Sequence, residues 1–241
     1  MKFNKPTLIT FTAPTCSGKS YILDHLSKED PYMTQMMQKK NPDWKFEPKF
    51  ARIVSTTTRQ PRKNEVNGVD YFFISEDVSR QLEAHGEFAE LVDFRGVRYG
   101  VTTAEMEKKM NGNLPSAIVL EPNGLRQYEV LCTTHGWGIF KIYVHTIESL
   151  RIDRLNARTA VDIWNAVSNV NTEDQGAPML KAKAVEKQLK IHTDRMLSIT
   201  CDERRWQNMS SWDAIIPGDD IHKAVRDIAF GINWRNYRNS Q

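Results

Sequence analysis

The sequence predicts an α/β fold, a parallel β-sheet flanked by helices, and two observations carry that expectation. An apolar, β-branched run from Leu8 to Thr12 passes through a Pro/Ser/Gly turn into a helical pattern with Ile22, Leu23 and Leu26 on one face. The order recurs further on: the short apolar runs Ile118 to Leu120 and Ile139 to Val144 are each followed by a helix-like segment, Arg126 to Cys132 and Ile147 to Asn156. Strands that alternate with helices pair most readily as parallel neighbours.

Between these core elements lies a β-rich stretch, Arg52 to Tyr99. Tyr71 to Ile74 and Leu91 to Phe94 are its candidate strands and Glu76 to His85 its helix, which reads as an inserted substrate subdomain. Thr102 followed three residues later by Glu105 is a capping-box pattern, so a helix is expected there, ending at the Asn-Gly-Asn turn of Asn111 to Asn113. Val185, Leu189, His192, Met196 and Ile199 recur at steps of three and four, as do Ile221, Ala224, Val225, Ile228 and Ala229, and both sets predict amphipathic helices. The polar, turn-rich segment Asn169 to Pro178 is the expected mobile loop. No internal repeat or low-complexity tract interrupts the pattern.

Composition narrows the class without naming a function. At 241 residues, 40% hydrophobic and 26% charged, the chain is an ordinary folded domain. A net charge of +3 is too small to argue for a nucleic-acid tract, though a local basic cluster would still attract a polyanionic small ligand. Cys16, Cys132 and Cys201 are odd in number, far apart and without ligand spacing, so neither a disulfide framework nor a zinc site is expected. The apolar part of MKFNKPTLITFTAP is short and broken by Thr and Pro, which predicts no signal peptide, no membrane span and a cytoplasmic location.

The most chemically explicit motif is Ala13-Pro14-Thr15-Cys16-Ser17-Gly18-Lys19-Ser20, which fits GxxxxGK[ST] with Ala in place of the first Gly. In such a P-loop, backbone N–H groups surround phosphates and the following helix adds its positive N-terminal end. Lys19 then sets a charge against the β- and γ-oxygens, and Ser20 offers its hydroxyl to Mg²⁺. ATP and Mg²⁺ are the ligands this loop predicts, held by Ala13, Thr15, Cys16, Ser17, Gly18, Lys19 and Ser20. The bland alternative, a Gly-Lys-Ser turn that merely caps a helix, is disfavoured by the placement after a strand and before a helix.

A second motif, Ser55-Thr56-Thr57-Thr58-Arg59-Gln60-Pro61-Arg62, sets two arginines around a proline that makes a regular helix unlikely to form. Both planar guanidiniums can then turn toward one phosphate, although taken alone two solvated arginines fit equally well. This run is followed by Glu65-Val66-Asn67-Gly68-Val69-Asp70-Tyr71-Phe72-Phe73, Gly86-Glu87-Phe88-Ala89-Glu90 and Tyr99-Gly100. Together they resemble the acceptor-binding region of guanylate kinases. The P-loop resembles that family too, and so does Asp213-Ala214-Ile215-Ile216-Pro217-Gly218-Asp219-Asp220, which is similar to its final core strand and turn.

The resemblance implies roles residue by residue. Arg59, Arg62, Tyr71 and Tyr99 match the family's ligands for the acceptor phosphate, and Ser55 and Glu90 match its base contacts. A carboxylate at Glu90 accepts from guanine N1–H and the exocyclic amine, a donor pair adenine does not present. Arg154-Leu155-Asn156-Ala157-Arg158 resembles the lid arginines, with Arg195 as a third across a longer intervening stretch. Lys19, Arg154, Arg158 and Arg195 are the implied catalytic set. The chain also departs from the family. Val101 stands where a Ser or Thr contacts guanine O6, Val119-Leu120-Glu121 replaces Asp-x-Asp and leaves Glu121 as the remaining carboxylate, and Gly218 replaces an Asn near the donor adenine.

These resemblances imply a P-loop NTPase core over about 1–50, 114–150 and 200–241, an acceptor-binding nucleoside-monophosphate subdomain over about 51–113, and a helical lid with an insertion over about 151–199. They imply ATP-dependent phosphorylation of GMP or dGMP. Two other readings stay open: a kinase for another nucleoside monophosphate with an altered base pocket, and a non-catalytic guanylate-kinase-like binding module. The implied partners are small-molecule nucleotides, with no nucleic acid or membrane, and a homodimer is left open.

Overall fold

The computed structural model describes residues 5–29, 34–35, 38–39, 41–43, 45, 48–62, 65–94, 96–120, 122–171, 176–207, 212–220, 223–224 and 228. Two sheets organise them. The first contains β1 (Thr7–Thr12), β2 (Ala51–Arg52), β7 (Ser116–Leu120), β8 (Gly138–His145) and β9 (Ala214–Pro217), in the spatial order β2-β7-β1-β8-β9 with every neighbour parallel. The expected α/β class with a parallel sheet flanked by helices is therefore what the chain forms.

Alternation along β1 explains why its sequence is apolar throughout. Ile9 and Phe11 point to one face, where they pack with Ile22, Leu23 and Leu26 of α1 (Lys19–Ser27) and with Phe140, Ile142 and Ile216. Leu8 points to the other and joins Ile118, Leu120, Leu125 and Tyr128. A central strand buried on both faces cannot alternate apolar with polar residues. The expected strands at Leu8, Ile118 and Ile139 thus form the middle of the sheet, each extended by one or two residues at its start.

The second sheet is smaller and mixed, in the order β4-β3-β6-β5, from β3 (Thr56–Thr57), β4 (Phe72–Phe73), β5 (Phe88–Phe94) and β6 (Val97–Thr102). β5 and β6 form an antiparallel hairpin, β6 runs antiparallel to β3, and β3 runs parallel to β4. Helix α2 (Glu76–Ala84) follows β4 with Ser75 as its cap. Helix α3 (Thr103–Met110) returns the chain to the first sheet, as the capping-box pattern predicts, but only half of that box forms. Thr102 Oγ1 accepts from the Glu105 N–H at 3.3 Å, whereas the Glu105 carboxylate is buried and accepts from the Val54 N–H at 3.0 Å.

Helix α4 (Pro122–Thr134) lies between β7 and β8. After β8, α5 (Glu148–Ser168) and the long α6 (Ala177–Gln207) pack against each other as a helical pair. Thr159 Oγ1 and His192 Nδ1 share a hydrogen bond of 2.9 Å across that seam. The expected loop at Asn169 to Pro178 contains the connection between them, and residues 172–175 lie outside the described residues. So does most of the amphipathic set beginning at Ile221, although Ala224 and Ile228 are described and join the core. Among the described residues no helix is long and apolar enough to cross a membrane.

Candidate functional site

The motif from Ala13 to Ser20 runs from the end of β1 into the first turn of α1 at the carboxyl edge of the parallel sheet, where α/β proteins bind ligands. Ala13 is buried, Thr15 and Cys16 are half-buried, Lys19 opens α1 and the Ser20 hydroxyl is on an exposed residue. Gly18 has φ 91° and Cys16 has φ 64°, the latter a left-handed conformation that costs a side-chain-bearing residue.

Neighbouring elements hold the loop's peptide planes. Ser17 is buried and its Oγ donates to the Pro14 carbonyl at 2.8 Å. Thr146 Oγ1, just past β8, donates to the Ser17 carbonyl at 2.9 Å. Arg154 donates from Nη1 to the Cys16 carbonyl at 3.2 Å and from Nη2 to the Gly218 carbonyl at 2.9 Å. Gly218 follows β9 so closely against the loop that a Cβ there would lie 2.1 Å from the Ser17 oxygen and 2.2 Å from Thr146 Oγ1. The glycine is required by that approach.

Arg59 and Arg62 converge on one carboxylate. Glu65 takes a two-pronged contact from Arg59, Nη1 to Oε2 at 2.7 Å and Nη2 to Oε1 at 2.9 Å. It also accepts from the Arg62 N–H at 2.7 Å and from Arg62 Nη1 at 3.3 Å. Burial works to raise the Glu65 carboxyl, but these bonds outweigh it and hold it below its ordinary value. The Arg59 guanidinium also lies over the Tyr71 ring, 5.2 Å from its centroid, and Tyr71 meets Tyr99 edge-on at 6.1 Å. All four expected phosphate ligands are thus brought together, with Glu65 in the position of an anion. Sequence reasoning did not single Glu65 out, although an acid three residues after Arg62 is the signal for it.

The lid residues approach the same place. Arg195 pairs with Asp162 across the α5–α6 seam at 3.6 Å. Burial first, and then the charge of Arg158, lower the Arg195 guanidinium. Arg62 is lowered likewise by burial and then by Arg158 and Arg59, with Arg195 adding to the effect. Arg62 therefore feels the charges of Arg59, Arg158 and Arg195, and Arg195 feels those of Arg158 and of Cys16 in the P-loop.

The base-contact candidates form a separate group on the second sheet. Glu90 of β5 and Val101 of β6 are cross-strand partners after a bulge between Phe88 and Glu90. Tyr99 and Val101 are two residues apart on β6, so the expected phosphate ligand Tyr99 and the expected base contact Val101 share one face of the sheet. Val101 is fully buried in the cluster of Leu120, Met106 and Tyr128. Burial pushes the Glu90 carboxyl up to about 7, while a hydrogen bond from Tyr128 acts in the opposite direction. Ser55 is half-buried at the entry to β3, where its carbonyl accepts from the Phe72 N–H. Glu121 lies outside the described residues.

A parallel sheet whose first strand enters a phosphate-binding loop, faced by a cluster of arginines, defines the class: a P-loop α/β protein. Comparison with known proteins refines this. The family model described as guanylate kinase matches residues 5–160. Guanylate kinase of Streptomyces coelicolor is 32% identical over 123 residues, 51% of this chain and 54% of that one. Guanylate kinase of Bacteroides fragilis is 37% identical over 110 residues, 45% and 46% of the two chains. The chain spans about half the length of the curated relatives it matches. The solved guanylate kinase of Anaplasma phagocytophilum, 15% identical, superposes with a TM-score of 0.50 over 99% of this chain and 88% of that one, a likeness of fold. The chain belongs to the guanylate kinase family.

Proposed function

We propose that the protein transfers the γ-phosphoryl group of ATP to the phosphate of a nucleoside monophosphate, with GMP or dGMP as the favoured acceptor. The observation that carries this reading is the convergence of Arg59, Arg62, Arg158 and Arg195 near the P-loop. Like charges held near one another repel, and Arg62 and Arg195 are both lowered first by burial and then by Arg158, so a polyanion in their midst relieves both costs. Two phosphate chains meeting end to end supply that charge. Glu65 holds Arg59 and Arg62 toward one point, where an acceptor phosphate would meet both.

The chemistry asks little more of the protein. Phosphoryl transfer spreads charge over the migrating group, so positioning and electrostatic clamping supply the rate, and no general base is needed. Lys19 and the arginines of α5 and α6 clamp that charge, and closure of the α5–α6 pair over the P-loop excludes water. The exposed Ser20 hydroxyl, one residue into α1, suits Mg²⁺, which uses few protein ligands and keeps several waters. When bound, the ion neutralises charge between the β- and γ-phosphates. On this reading the first sheet holds the donor, the segment over about 51–113 that carries the second sheet holds the acceptor, and α5 with α6 is the lid. A reducing, cytoplasmic setting goes with it.

Val101 favours a second reading, a kinase for another base, because a buried valine offers no donor to guanine O6. A non-catalytic binding module is opposed by Lys19 and Ser20, which such a module does not need. A coupled ADP-release assay over ribo- and deoxynucleoside monophosphates separates these readings. Guanine acceptors turning over fastest supports the first, a pyrimidine or adenine preference supports the second, and no turnover with any acceptor overturns the enzyme. Lys19→Ala should lower the rate by roughly a thousandfold with the fold intact. Near-normal turnover in that variant would remove the P-loop from the mechanism.

A further inference from the structure

Tyr128 lies in the middle of α4, fully buried beside Leu125, Cys132 and Val101. A phenol in an apolar cluster loses free energy unless its hydroxyl finds a partner. Here the hydroxyl donates to Glu90 Oε2 at 3.5 Å, a long bond. One turn earlier on the same helix face, a Cβ at Gly124 would come within 3.5 Å of Glu90 Oε1. This face of α4 therefore lines both carboxylate oxygens, with a hydroxyl on one and an open position beside the other.

We propose that Tyr128 is a positioning residue for base selection, its hydroxyl fixing the carboxylate with which Glu90 reads the acceptor base. The inference rests on the proposed nucleotide-acceptor reading and adds to it a residue that no motif marks. A carboxylate has about four acceptor sites, so one bond from Tyr128 leaves enough for the two donors of a guanine edge. A protonated carboxyl, in contrast, would set its own donor against that donor pair. Burial drives Glu90 toward protonation, and the Tyr128 hydroxyl acts against it. The phenol itself is pushed well above its ordinary value, first by burial and then by Glu90, so it stays a donor. From the other elements, Val101 on β6 and Leu120 on β7 bring no charge to this corner. Tyr128 is the titratable group among the described residues that acts on Glu90.

Tyr128→Phe keeps the ring and removes the hydroxyl. Two measurements test it: the side-chain carboxyl titration of Glu90 by carbon NMR in the nucleotide-free protein, and calorimetric affinities for GMP and AMP across the neutral pH range. In the variant the Glu90 titration should move to higher pH. GMP affinity at neutral pH should fall by about tenfold, recover on the alkaline side and leave AMP affinity unchanged. In a Glu90→Gln background the same change should do nothing, whereas a loss of packing would persist there. An unmoved Glu90 titration together with an unmoved GMP-to-AMP ratio overturns the inference and leaves the kinase reading intact. A wild-type protein that binds no guanine nucleotide overturns both.

Discussion

Among the described residues, one side chain sits where the local backbone opposes it. Cys16 has φ 64° in the P-loop, where the left-handed region costs a residue with a Cβ about 1–2 kcal/mol. Glycine would remove that cost but would lose about 0.5–1 kcal/mol through the freedom of the unfolded chain. Cys16→Gly should thus stabilise the protein by up to roughly 1 kcal/mol, a rise in melting temperature of about 2–4 °C. A lower melting temperature would mean that the thiol makes contacts worth more than the strain. Val101 is the opposite case, an apolar side chain well packed at a position expected to meet the acceptor base. Val101→Ser removes buried methyls and buries a hydroxyl beside Glu90, which should cost about 1–3 kcal/mol of stability. The same hydroxyl should raise kcat/KM for guanine acceptors by up to about tenfold over other bases. A flat guanine preference would show that Val101 does not face the base. Residues such as Lys19, Arg59 and Arg62 were legible in the sequence because their chemistry is carried by spacing along the chain. Glu65 and Tyr128 were not. Glu65 finds Arg59 and Arg62 only when the irregular segment between β3 and β4 turns back on itself, and Tyr128 finds Glu90 only when β5 and α4 come together. A lone helical tyrosine reads as a core aromatic.

Among the elements, those with a full hydrophobic period could be read directly, and those defined by pairing could not. The β1, β7 and β8 strands and α1 follow from apolar runs and from the face of Ile22, Leu23 and Leu26. β2 and β3, two residues each, exist only because β7 and β6 lie alongside them. β6 was hidden because its Tyr99-Gly100 reads as a ligand motif, not as the centre of a strand. The capping box at Thr102 was legible as a helix start, but the destination of Glu105 was not, since Val54 is distant in sequence. That link gives α3 a second role, tying the return helix to the chain between β2 and β3. Glu105→Ala should leave the Thr102 cap in place, strand the buried Val54 N–H and destabilise the fold by about 1–3 kcal/mol. Chemical denaturation measures it. A change within a few tenths of a kcal/mol would mean that water or another acceptor replaces the carboxylate.

At the scale of the whole molecule, the small net charge of +3 conceals a concentrated field. Arg59 and Arg62 arrive from the segment after β3, Arg158 from α5 and Arg195 from α6, and for Arg62 and Arg195 like-charge repulsion adds to the cost of burial. Glu65 and Asp162 offset part of that repulsion. Removing one of these charges should therefore act in opposite directions on the empty and the occupied protein. Arg158→Ala is expected to leave the melting temperature of the nucleotide-free protein unchanged or slightly raised, because Arg62 and Arg195 lose a like-charged neighbour. Its stabilisation by a bisubstrate analogue, two nucleosides joined through phosphates, should shrink. A tenfold weaker affinity lowers ligand-induced stabilisation by about 1.4 kcal/mol at saturating concentrations, which a thermal-shift titration resolves. If Arg158→Ala instead destabilises the empty protein and leaves the ligand increment untouched, the guanidinium serves the packing of α5 on α6, and the charge that meets the phosphates comes from the remaining arginines and Lys19.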